Sequence, residues 1–317
     1  MIIDIHTHLM GVDEDNGCYV GPSMRGGLVY TFLKRTLGLG DVDRDGLDAA
    51  YRDKLIEWAE ESDLDAAGVL ALDGIYDEEG QLDREATTVL IGNDYCLEVC
   101  EQSDALLPIC SVNPARHDAL EELERVVEAG SVAVKLLPNS QGVDPGRPIY
   151  QPFWRRMAEL GVPLLTHASF EHTIPVVDQI YGDPERLRPV LDEGVTVIAA
   201  HCASSGVAHI TEHIGTWMEM LRAYPNLYGD ISAMASLARF PYLTQVLDDE
   251  VARERIALGS DFPIPVTPWL FIRELGWSTA RRLSRIENPL QKNLETFRAM
   301  GCGQAIVRRR SRLLRLQ

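Results

Sequence analysis

The sequence predicts an α/β protein built as a (β/α)8, or TIM, barrel. Short apolar runs alternate with amphipathic stretches along all 317 residues, and eight of these runs have the length of a strand. Strands that alternate with helices form right-handed βαβ units and a parallel sheet. Eight such units predict a closed barrel, and the alternative is a doubly wound open sheet.

The predicted strands are short runs rich in Val, Ile, Leu and Ala. In chain order they are MIIDIHTH, AAGVLALD near residue 70, LLPICSV near 109, SVAVKLL near 134, VPLLTH near 165, VTVIAAH near 198, NLYGDIS near 229 and ERIALGSD near 258. The predicted helices carry apolar residues three and four positions apart, as in DKLIEWAEESD, LEELERVVEAG, FWRRMAELG and ITEHIGTWMEMLRAY. Gly or Pro follows several of these patterns, which is typical of helix ends.

The chain is predicted to form one domain over residues 1–317, because no repeat, low-complexity tract or Ser/Gly linker divides it. Residues 9–50, between the first strand and the first helix, are the exception to the regular spacing. Connections in such folds are usually about 2–6 residues long. The Gly-rich stretch GPSMRGGLVYTFLKRTLGLG therefore predicts a lid or substrate wall with some helix of its own. The alternative is a plug for the barrel end or an oligomer contact.

The charge balance argues against nucleic acid or an anionic membrane as a partner. The chain has 48 Asp and Glu against 30 Lys and Arg, which gives a formal net charge of -18 and a pI near 4.8. The basic run from Arg308 to Arg315 is interpreted as a C-terminal helix with cations near its carbonyl end. A small-molecule substrate is the expected partner.

Cysteine usage predicts a reduced, cytoplasmic protein. The six cysteines form no CxxC pair; they are Cys18, Cys96, Cys100, Cys110, Cys202 and Cys302. The N-terminus has no charged region followed by a long apolar stretch, as a signal peptide would. No apolar run reaches the roughly 18 residues that a membrane span requires.

Histidines cluster at the ends of the predicted strands. His6 and His8 end the first strand, His167 the fifth and His201 the sixth, and Asp261 ends the eighth. In a barrel of this kind the active site is built at the carboxyl ends of the strands. Imidazole nitrogens and a carboxylate oxygen suit zinc or a similar divalent ion, which activates water and polarises a carbonyl. Asp261 or His201 would then accept the proton of the water.

The motifs HTH, KLLP, LLTHAS, AAHCASSG and LGSDFP together resemble the amidohydrolase superfamily. The resemblance is strongest to its amidohydrolase-related branch of metal-dependent TIM-barrel hydrolases, which includes decarboxylases similar to aminocarboxymuconate semialdehyde decarboxylase. It extends from residue 2 to the closing RLLRL. It implies metal binding by His6, His8, His167 and Asp261, with Asp261 as proton acceptor and His201 as a catalytic residue or second-metal ligand.

Lys135 on the fourth predicted strand has three interpretations. In some relatives a lysine on this strand is carbamylated and bridges two metals, and His167 and His201 would then bind the second ion. Lys135 would otherwise be a free cation that binds a substrate carboxylate, or a structural residue paired with a nearby acid. A single divalent ion, expected to be zinc, is predicted, and a second site with Lys135 and His201 is the alternative.

The loops that follow the strands carry the predicted substrate contacts. These are Arg25, Tyr30, Asn139, Gln141, Glu171, His172, Ser204 and Trp269. Glu171 and His172 could equally cap the following helix, and Trp269 could be a packing residue.

The predicted function is metal-dependent hydrolysis of an ester, lactone or amide carbonyl in a small molecule. Within the family, the alternative is non-oxidative decarboxylation, or hydration, of an unsaturated carboxylic acid. A barrel that binds a small molecule without turnover is the alternative from another class. A homodimer is expected from the relatives.

Overall fold

Ten strands form two sheets in the computed structural model, which describes residues 1–25, 34–35, 37–206, 213–303, 306 and 313–316. In chain order the strands are β1 (Ile3–His8), β2 (Tyr19–Val20), β3 (Ala66–Leu70), β4 (Val89–Leu90), β5 (Leu106–Ser111), β6 (Ala133–Leu136), β7 (Leu164–Thr166), β8 (Val197–Ala199), β9 (Leu227–Asp230) and β10 (Ile256–Ala257). The large sheet has eight strands in the order β1-β3-β5-β6-β7-β8-β9-β10, each parallel to its neighbours.

Backbone hydrogen bonds between the first and last strands bring the two edges of this sheet together. The Ile5 N–H donates to the Leu258 carbonyl at 3.0 Å, and the His8 N–H donates to the Phe262 carbonyl at 2.8 Å. The predicted (β/α)8 TIM barrel is therefore confirmed, and the open doubly wound sheet was the wrong alternative. Each of the eight predicted strands coincides with a strand of the barrel.

Helices lie between the strands along the chain and after the last strand. Their bounds are Pro22–Arg25, Leu47–Glu60, Asn93–Cys100, Ala119–Glu128, Pro138–Gln141, Gln151–Leu160, Arg188–Asp192, Ile214–Ala223, Phe240–Asp248, Glu250–Glu254, Ile272–Ser284 and Pro289–Ala299. Short 3-10 turns lie at Pro148–Tyr150, Gln179–Gly182, Pro184–Leu187, Ala200–Ala203 and Pro268–Phe271. No described helix is long and apolar enough to cross a lipid bilayer.

Alternate strand residues fill the barrel interior, because successive side chains of a strand point to opposite faces. The interior cluster takes apolar side chains from around the barrel: Ile3, Ile5, Ala66, Leu70, Ile109, Ala133, Leu165, Ile198 and Ala257. Leu313 and Leu314 belong to the same cluster, and the Arg315 N–H donates to the Val132 carbonyl at 3.0 Å. The last described residues therefore cover the amino end of the barrel. Arg308, Arg309, Arg310 and Arg312 of the basic run lie outside the described residues.

The long segment after β1 contributes a short strand and part of a cavity wall. β2 pairs with β4 in antiparallel register, with Tyr19 opposite Leu90 and Val20 opposite Val89. Leu9, Met10 and Val12 line the cavity at the carboxyl ends of the barrel strands. Residues 26–33 and 36 lie outside the described part of the chain, so the lid over residues 9–50 stays a prediction.

A larger residue in place of Gly229 in β9 is expected to destabilise the protein. A Cβ added there would lie 2.6 Å from Cζ2 of Trp217 and 2.9 Å from Sγ of Cys202, and both of these side chains are fully buried. Overpacking of this kind costs about 1–3 kcal/mol, so Gly229→Ala is expected to lower the free energy of unfolding by about that amount.

Gly215 provides the matched control for Gly229. It lies in the helix Ile214–Ala223, and no heavy atom of the described residues lies within 4 Å of an added Cβ. Gly215→Ala is expected to leave the free energy of unfolding unchanged or to raise it by up to about 1 kcal/mol, because Ala is the better helix former. Urea unfolding followed by circular dichroism measures both variants, and equal stability of the two would contradict the tight packing at Gly229.

Candidate active site

A cavity of about 180 Å³ lies at the carboxyl ends of the barrel strands. Its polar lining consists of His6, His8, Lys135, His167, Glu171, Thr173, His201, Arg239 and Asp261. Its apolar lining includes Leu9, Met10, Val12, Val20, Met24, Leu70, Leu72, Val89, Ile91, Leu137, Ile174 and Ile264. A few convergent polar groups within an apolar wall are typical of a site for a small organic molecule.

The strand period explains why polar groups converge at this end of the barrel. Residues two or four positions after an inward apolar residue face inward as well. Along four strands these next inward positions carry Lys135 on β6, His167 after β7, Asp230 on β9 and Asp261 after β10. Their apolar predecessors close the barrel interior below the cavity.

A change of register in β1 brings the first two histidines to the same carboxylate. The pairing of β1 with β3 shifts between Asp4 and Thr7, and such bulges redirect side chains. The His6 and His8 rings have centroids 5.2 Å apart. Nε2 of His8 lies 3.0 Å from Oδ1 of Asp261, and Nε2 of His6 lies 3.3 Å from the same oxygen.

His6, His8 and Asp261 have the donor chemistry of a metal site. Their ligand atoms all lie within 4.8 Å of one another. Two imidazole nitrogens and one carboxylate oxygen suit zinc and related divalent ions, so the residues present fit such a group. His6, His201 and Asp230 form a second group with atoms within 4.8 Å.

His167 and His201 lie beside this group. The centroid of the His201 ring is 5.3 Å from that of His6 and 5.5 Å from that of His167. Nε2 of His201 is 3.9 Å from Oδ2 of Asp261. Nε2 of His167 lies 3.2 Å from the Phe170 carbonyl and its Nδ1 lies 3.7 Å from Oε2 of Glu171. Metal binding by His167 stays a prediction.

Burial and neighbouring groups shift the pKa values of the cavity side chains in directions that favour the binding of a metal cation. It lowers the pKa of His6 and of His201, and lowers the pKa of His167 to about 4. Burial alone would raise the pKa of Asp261, but the hydrogen bond with His8 and the charge of His6 outweigh it and hold that pKa below its usual range. The lowered pKa values favour uncharged imidazoles at His6, His167 and His201 and an ionised carboxylate at Asp261, which is the state that metal binding requires.

Lys135 is buried next to the histidines. Its Nζ lies 3.5 Å from Nε2 of His6, and its side chain is 2% exposed. Burial lowers its pKa, although Asp230 and Asp261 act in the opposite direction. A lysine in this position is compatible with a carbamate that bridges two metals, with a cation that binds a substrate carboxylate, or with a structural role. Its function therefore stays a prediction.

Backbone strain concentrates at the same end of the barrel. Among the described non-glycine residues, those with positive φ are His201 (55°), Cys202 (51°), Ala203 (57°), Ala233 (55°) and Asp261 (61°). All five follow the carboxyl ends of β8, β9 or β10. Such conformations cost about 1–3 kcal/mol each and persist where surrounding contacts hold them, commonly at functional sites.

The predicted substrate contacts are only partly brought to the cavity. Glu171 lines it, and its Oε1 accepts a hydrogen bond from the Ile174 N–H at 3.2 Å. His172 is exposed, with its ring centroid 6.5 Å from that of Phe170, and is not part of the cavity lining. Trp269 is 38% exposed and lies against Trp277, also away from the lining.

The remaining predicted contacts are hydrogen-bonded within the loops or lie outside the described residues. The Asn139 amide donates to the carbonyls of Ser169 and Gln179, each at 3.1 Å. Gln141 is buried against Asp73 and Ser111, and the Ser204 hydroxyl donates to the His201 carbonyl. Tyr30 lies outside the described residues, as does the side chain of Arg25.

Three residues of the site are absent from the sequence prediction. They are Asp230, Ser232 and Arg239. Asp230 and Ser232 lie among the last three residues of the seventh predicted strand, NLYGDIS, so their place near a strand end was a usable signal. Arg239 precedes the helix Phe240–Asp248, far from any strand end, and nothing in the strand pattern identifies it.

Comparisons with known proteins agree with the barrel architecture. The sequence profile of a family described as Amidohydrolase matches residues 3–278. A search of curated protein sequences gave no significant match. Among solved structures, an uncharacterized TIM-barrel protein from Bordetella bronchiseptica is similar with a TM-score of 0.64 and 14% identity, over 99% of this chain and 95% of that one.

Several of the similar solved structures carry functional names. A putative 2-pyrone-4,6-dicarboxylic acid hydrolase from Pseudomonas putida has a TM-score of 0.57 and 16% identity, over 99% of this chain and 94% of that one. A 5-carboxyvanillate decarboxylase from Sphingomonas paucimobilis has a TM-score of 0.54 and 13% identity, over 97% of this chain and 98% of that one. At these identities the similarity shows the fold alone.

The first test of the site is its metal content. Purified protein loaded with zinc is expected to hold about one ion per chain, and His6→Ala is expected to lose it because one of three converging donors is removed. His172→Ala is the control, since this exposed histidine lies outside the cavity lining. Plasma mass spectrometry after desalting measures the stoichiometry, and a metal-free wild type after loading with zinc, manganese, iron and cobalt would refute the site.

Lys135→Met separates a one-metal from a two-metal centre. The substitution keeps most of the buried volume and removes the amine that a carbamate bridge requires. With one ion held by His6, His8 and Asp261, the stoichiometry is expected to stay near one. A wild type with about two ions that falls to one or none in Lys135→Met would instead establish the carbamate-bridged pair.

Proposed function

The chain belongs to the amidohydrolase family, and on that premise we propose that it is a metal-dependent hydrolase of an ester, lactone or amide carbonyl in a small molecule. Members of this family generally bind a divalent metal. The observation that supports the proposal most directly is the convergence of His6, His8 and Asp261, with both Nε2 atoms 3.0–3.3 Å from one carboxylate oxygen, in the lining of the cavity.

Asp261 is the proposed proton acceptor. A divalent ion held by this donor set supplies Lewis acidity, which activates water and polarises a carbonyl oxygen. Oδ1 of Asp261 faces both imidazoles, whereas Oδ2 lies 3.9 Å from Nε2 of His201. The second oxygen can therefore accept a proton and pass it toward His201 or the leaving group.

The substrate is proposed to carry an anionic group next to an apolar body. Arg239 and Lys135 line the cavity, although the chain as a whole has a net charge of -18. Two cations placed in one cavity of an acidic protein favour a carboxylate as their partner. The apolar wall from the segment 9–50 would contact the rest of the molecule.

Decarboxylation of an unsaturated carboxylic acid is the second candidate. Arg239 and Lys135 favour it as well, because they would bind the carboxylate that is lost, and the apolar lining would disfavour a charged carboxylate once water is excluded. A similar structure is named as a decarboxylase and another as a hydrolase, so both reactions belong in the same assay.

The experiment is a panel of lactones, esters, amides and unsaturated carboxylic acids, each with and without an extra carboxylate. Hydrolysis is followed by acid release in weak buffer and decarboxylation by CO₂ release. Turnover of a carboxylated lactone or ester without CO₂ release is expected. CO₂ release by protein that holds a stoichiometric metal would show that decarboxylation, and not hydrolysis, is the reaction. Substrate binding without turnover would favour a non-catalytic barrel.

Asp261→Asn tests the proton acceptor. Removal of a general base typically lowers the rate about 10²–10⁴-fold, and kcat is expected to fall by that factor. Asp73→Asn is the control, because Asp73 is a buried carboxylate near the end of β3 whose partners are Asn113, Tyr76 and Arg116. Metal content is measured for both, and a kcat of Asp261→Asn equal to that of the control would exclude the role.

Arg239→Gln tests the anionic group of the substrate. KM for carboxylated substrates is expected to rise about 10-fold or more, because a charge-assisted hydrogen bond is lost. KM for the matching neutral substrates is expected to change little. An equal change for both substrate types would indicate that Arg239 acts through the loop, where it donates to the Ser204 carbonyl.

A further inference from the structure

A buried carboxylate lies behind the metal-binding face of His6. Asp230 at the end of β9 is fully buried, and its Oδ2 lies 2.8 Å from Nδ1 of His6. The opposite nitrogen of the ring, Nε2, is the one that approaches Asp261. An ionised carboxylate only accepts hydrogen bonds, so the proton of the His6 ring must lie on Nδ1.

The other oxygen of Asp230 organises the neighbouring strand end. Oδ1 accepts the His201 backbone N–H at 2.9 Å and the Ser232 N–H at 3.0 Å, and it also accepts the Ser232 hydroxyl. His201 has a φ of 55°, a conformation that side-chain-bearing residues adopt only when neighbouring contacts hold it. Asp230 therefore contacts both the ring of His6 and the backbone of His201.

Ser232 determines the tautomer of His201. Its hydroxyl proton is directed to Asp230, so its oxygen is left to accept, and it lies 2.8 Å from Nδ1 of His201. The Ser232 carbonyl, which can only accept, lies 3.1 Å from the same nitrogen. Two acceptors at one ring nitrogen require that this nitrogen carries the proton.

We infer that Asp230 and Ser232 are positioning residues that hold His6 and His201 in the Nδ1–H tautomer, so that both Nε2 atoms face the cavity as lone-pair donors. The inference rests on the proposed function for its catalytic meaning, but the hydrogen-bond geometry stands without it. Partners of this kind fix ring orientation and raise the basicity of a metal-binding imidazole. For His201 the same constraint leaves Nε2 as the nitrogen that can accept a proton.

Direct metal binding by Asp230 is the competing interpretation, since His6, His201 and Asp230 also form a compact group. The geometry argues against it. Oδ1 already accepts three donors and Oδ2 is at hydrogen-bond distance from Nδ1 of His6. An ion at Asp230 would have to use Nδ1 of His6 and would displace the bond that directs Nε2 toward Asp261.

The tautomers can be measured directly in the metal-free protein. Long-range ¹H–¹⁵N correlation spectra of histidine-labelled protein distinguish Nδ1–H from Nε2–H rings, with assignment by single His→Gln variants. Nδ1–H is expected for His6 and His201 in the wild type. Nε2–H for His6, or a rapidly exchanging mixture for both rings, would overturn the inference without any use of substrate.

Asp230→Asn is the corresponding substitution. An Asn side chain can donate to Nδ1 of His6 and thereby stabilise the Nε2–H tautomer, which cannot bind a metal through Nε2. Zinc affinity in a chelator competition is expected to fall about 10–100-fold, as for other partners of metal-binding histidines. The spectrum of the variant is expected to show the changed tautomer of His6.

Two further variants separate this role from a loss of stability. Asp73→Asn replaces another buried carboxylate, near the end of β3, and is expected to leave zinc affinity and both tautomers unchanged. Ser232→Ala removes the hydroxyl acceptor at Nδ1 of His201 and keeps the backbone carbonyl, so the Nδ1–H tautomer of His201 is expected to be weakened but still populated, while His6 keeps its bond to Asp230. Equal zinc affinity in Asp230→Asn and the wild type would refute the inference, whereas Nδ1–H tautomers in a protein that lacks hydrolase activity would refute only the proposed function.

Discussion

The candidate site depends on the closure of the barrel between its first and last strands. His8 and Asp261 are separated by 253 residues in the chain, yet backbone hydrogen bonds from Ile5 to Leu258 and from His8 to Phe262 place their strands side by side. A further bond from the Asp261 N–H to the His6 carbonyl, at 2.8 Å, fixes the start of the last loop. In a sheet left open at this edge the two imidazoles would have no carboxylate beside them.

Burial gives this arrangement its chemical character. Removal from water favours the neutral form of His6, His167 and His201. Hydrogen bonds and neighbouring charges keep Asp261 and Asp230 ionised. The cavity therefore presents lone pairs and negative charge at one place, with Arg239 and Lys135 nearby. Residues with positive φ follow three of the strand ends, which indicates that the backbone is held under strain where the polar groups of the cavity converge.

Much of the fold and part of the site could be predicted because both follow local patterns. The eight barrel strands are buried on both faces, so each appears as a short apolar run, and polar residues at their ends mark the carboxyl face. The strand-end rule was sufficient to predict four residues of the site, namely His6, His8, His201 and Asp261. Substrate contacts were not, because loop side chains such as Asn139 and Trp269 have no periodic constraint that determines where they point.

The sequence by itself determined the order of strands and helices, the family and the strand-end residues from which a metal site can be built, since strand periodicity and length are properties of neighbouring residues. Only the tertiary structure decided which of those residues meet. Closure paired Asp261 with His6 and His8, and the position of β9 in the sheet set Asp230 behind His6. These are contacts between distant strands and loops, and their distances depend on barrel geometry and packing that no local pattern contains.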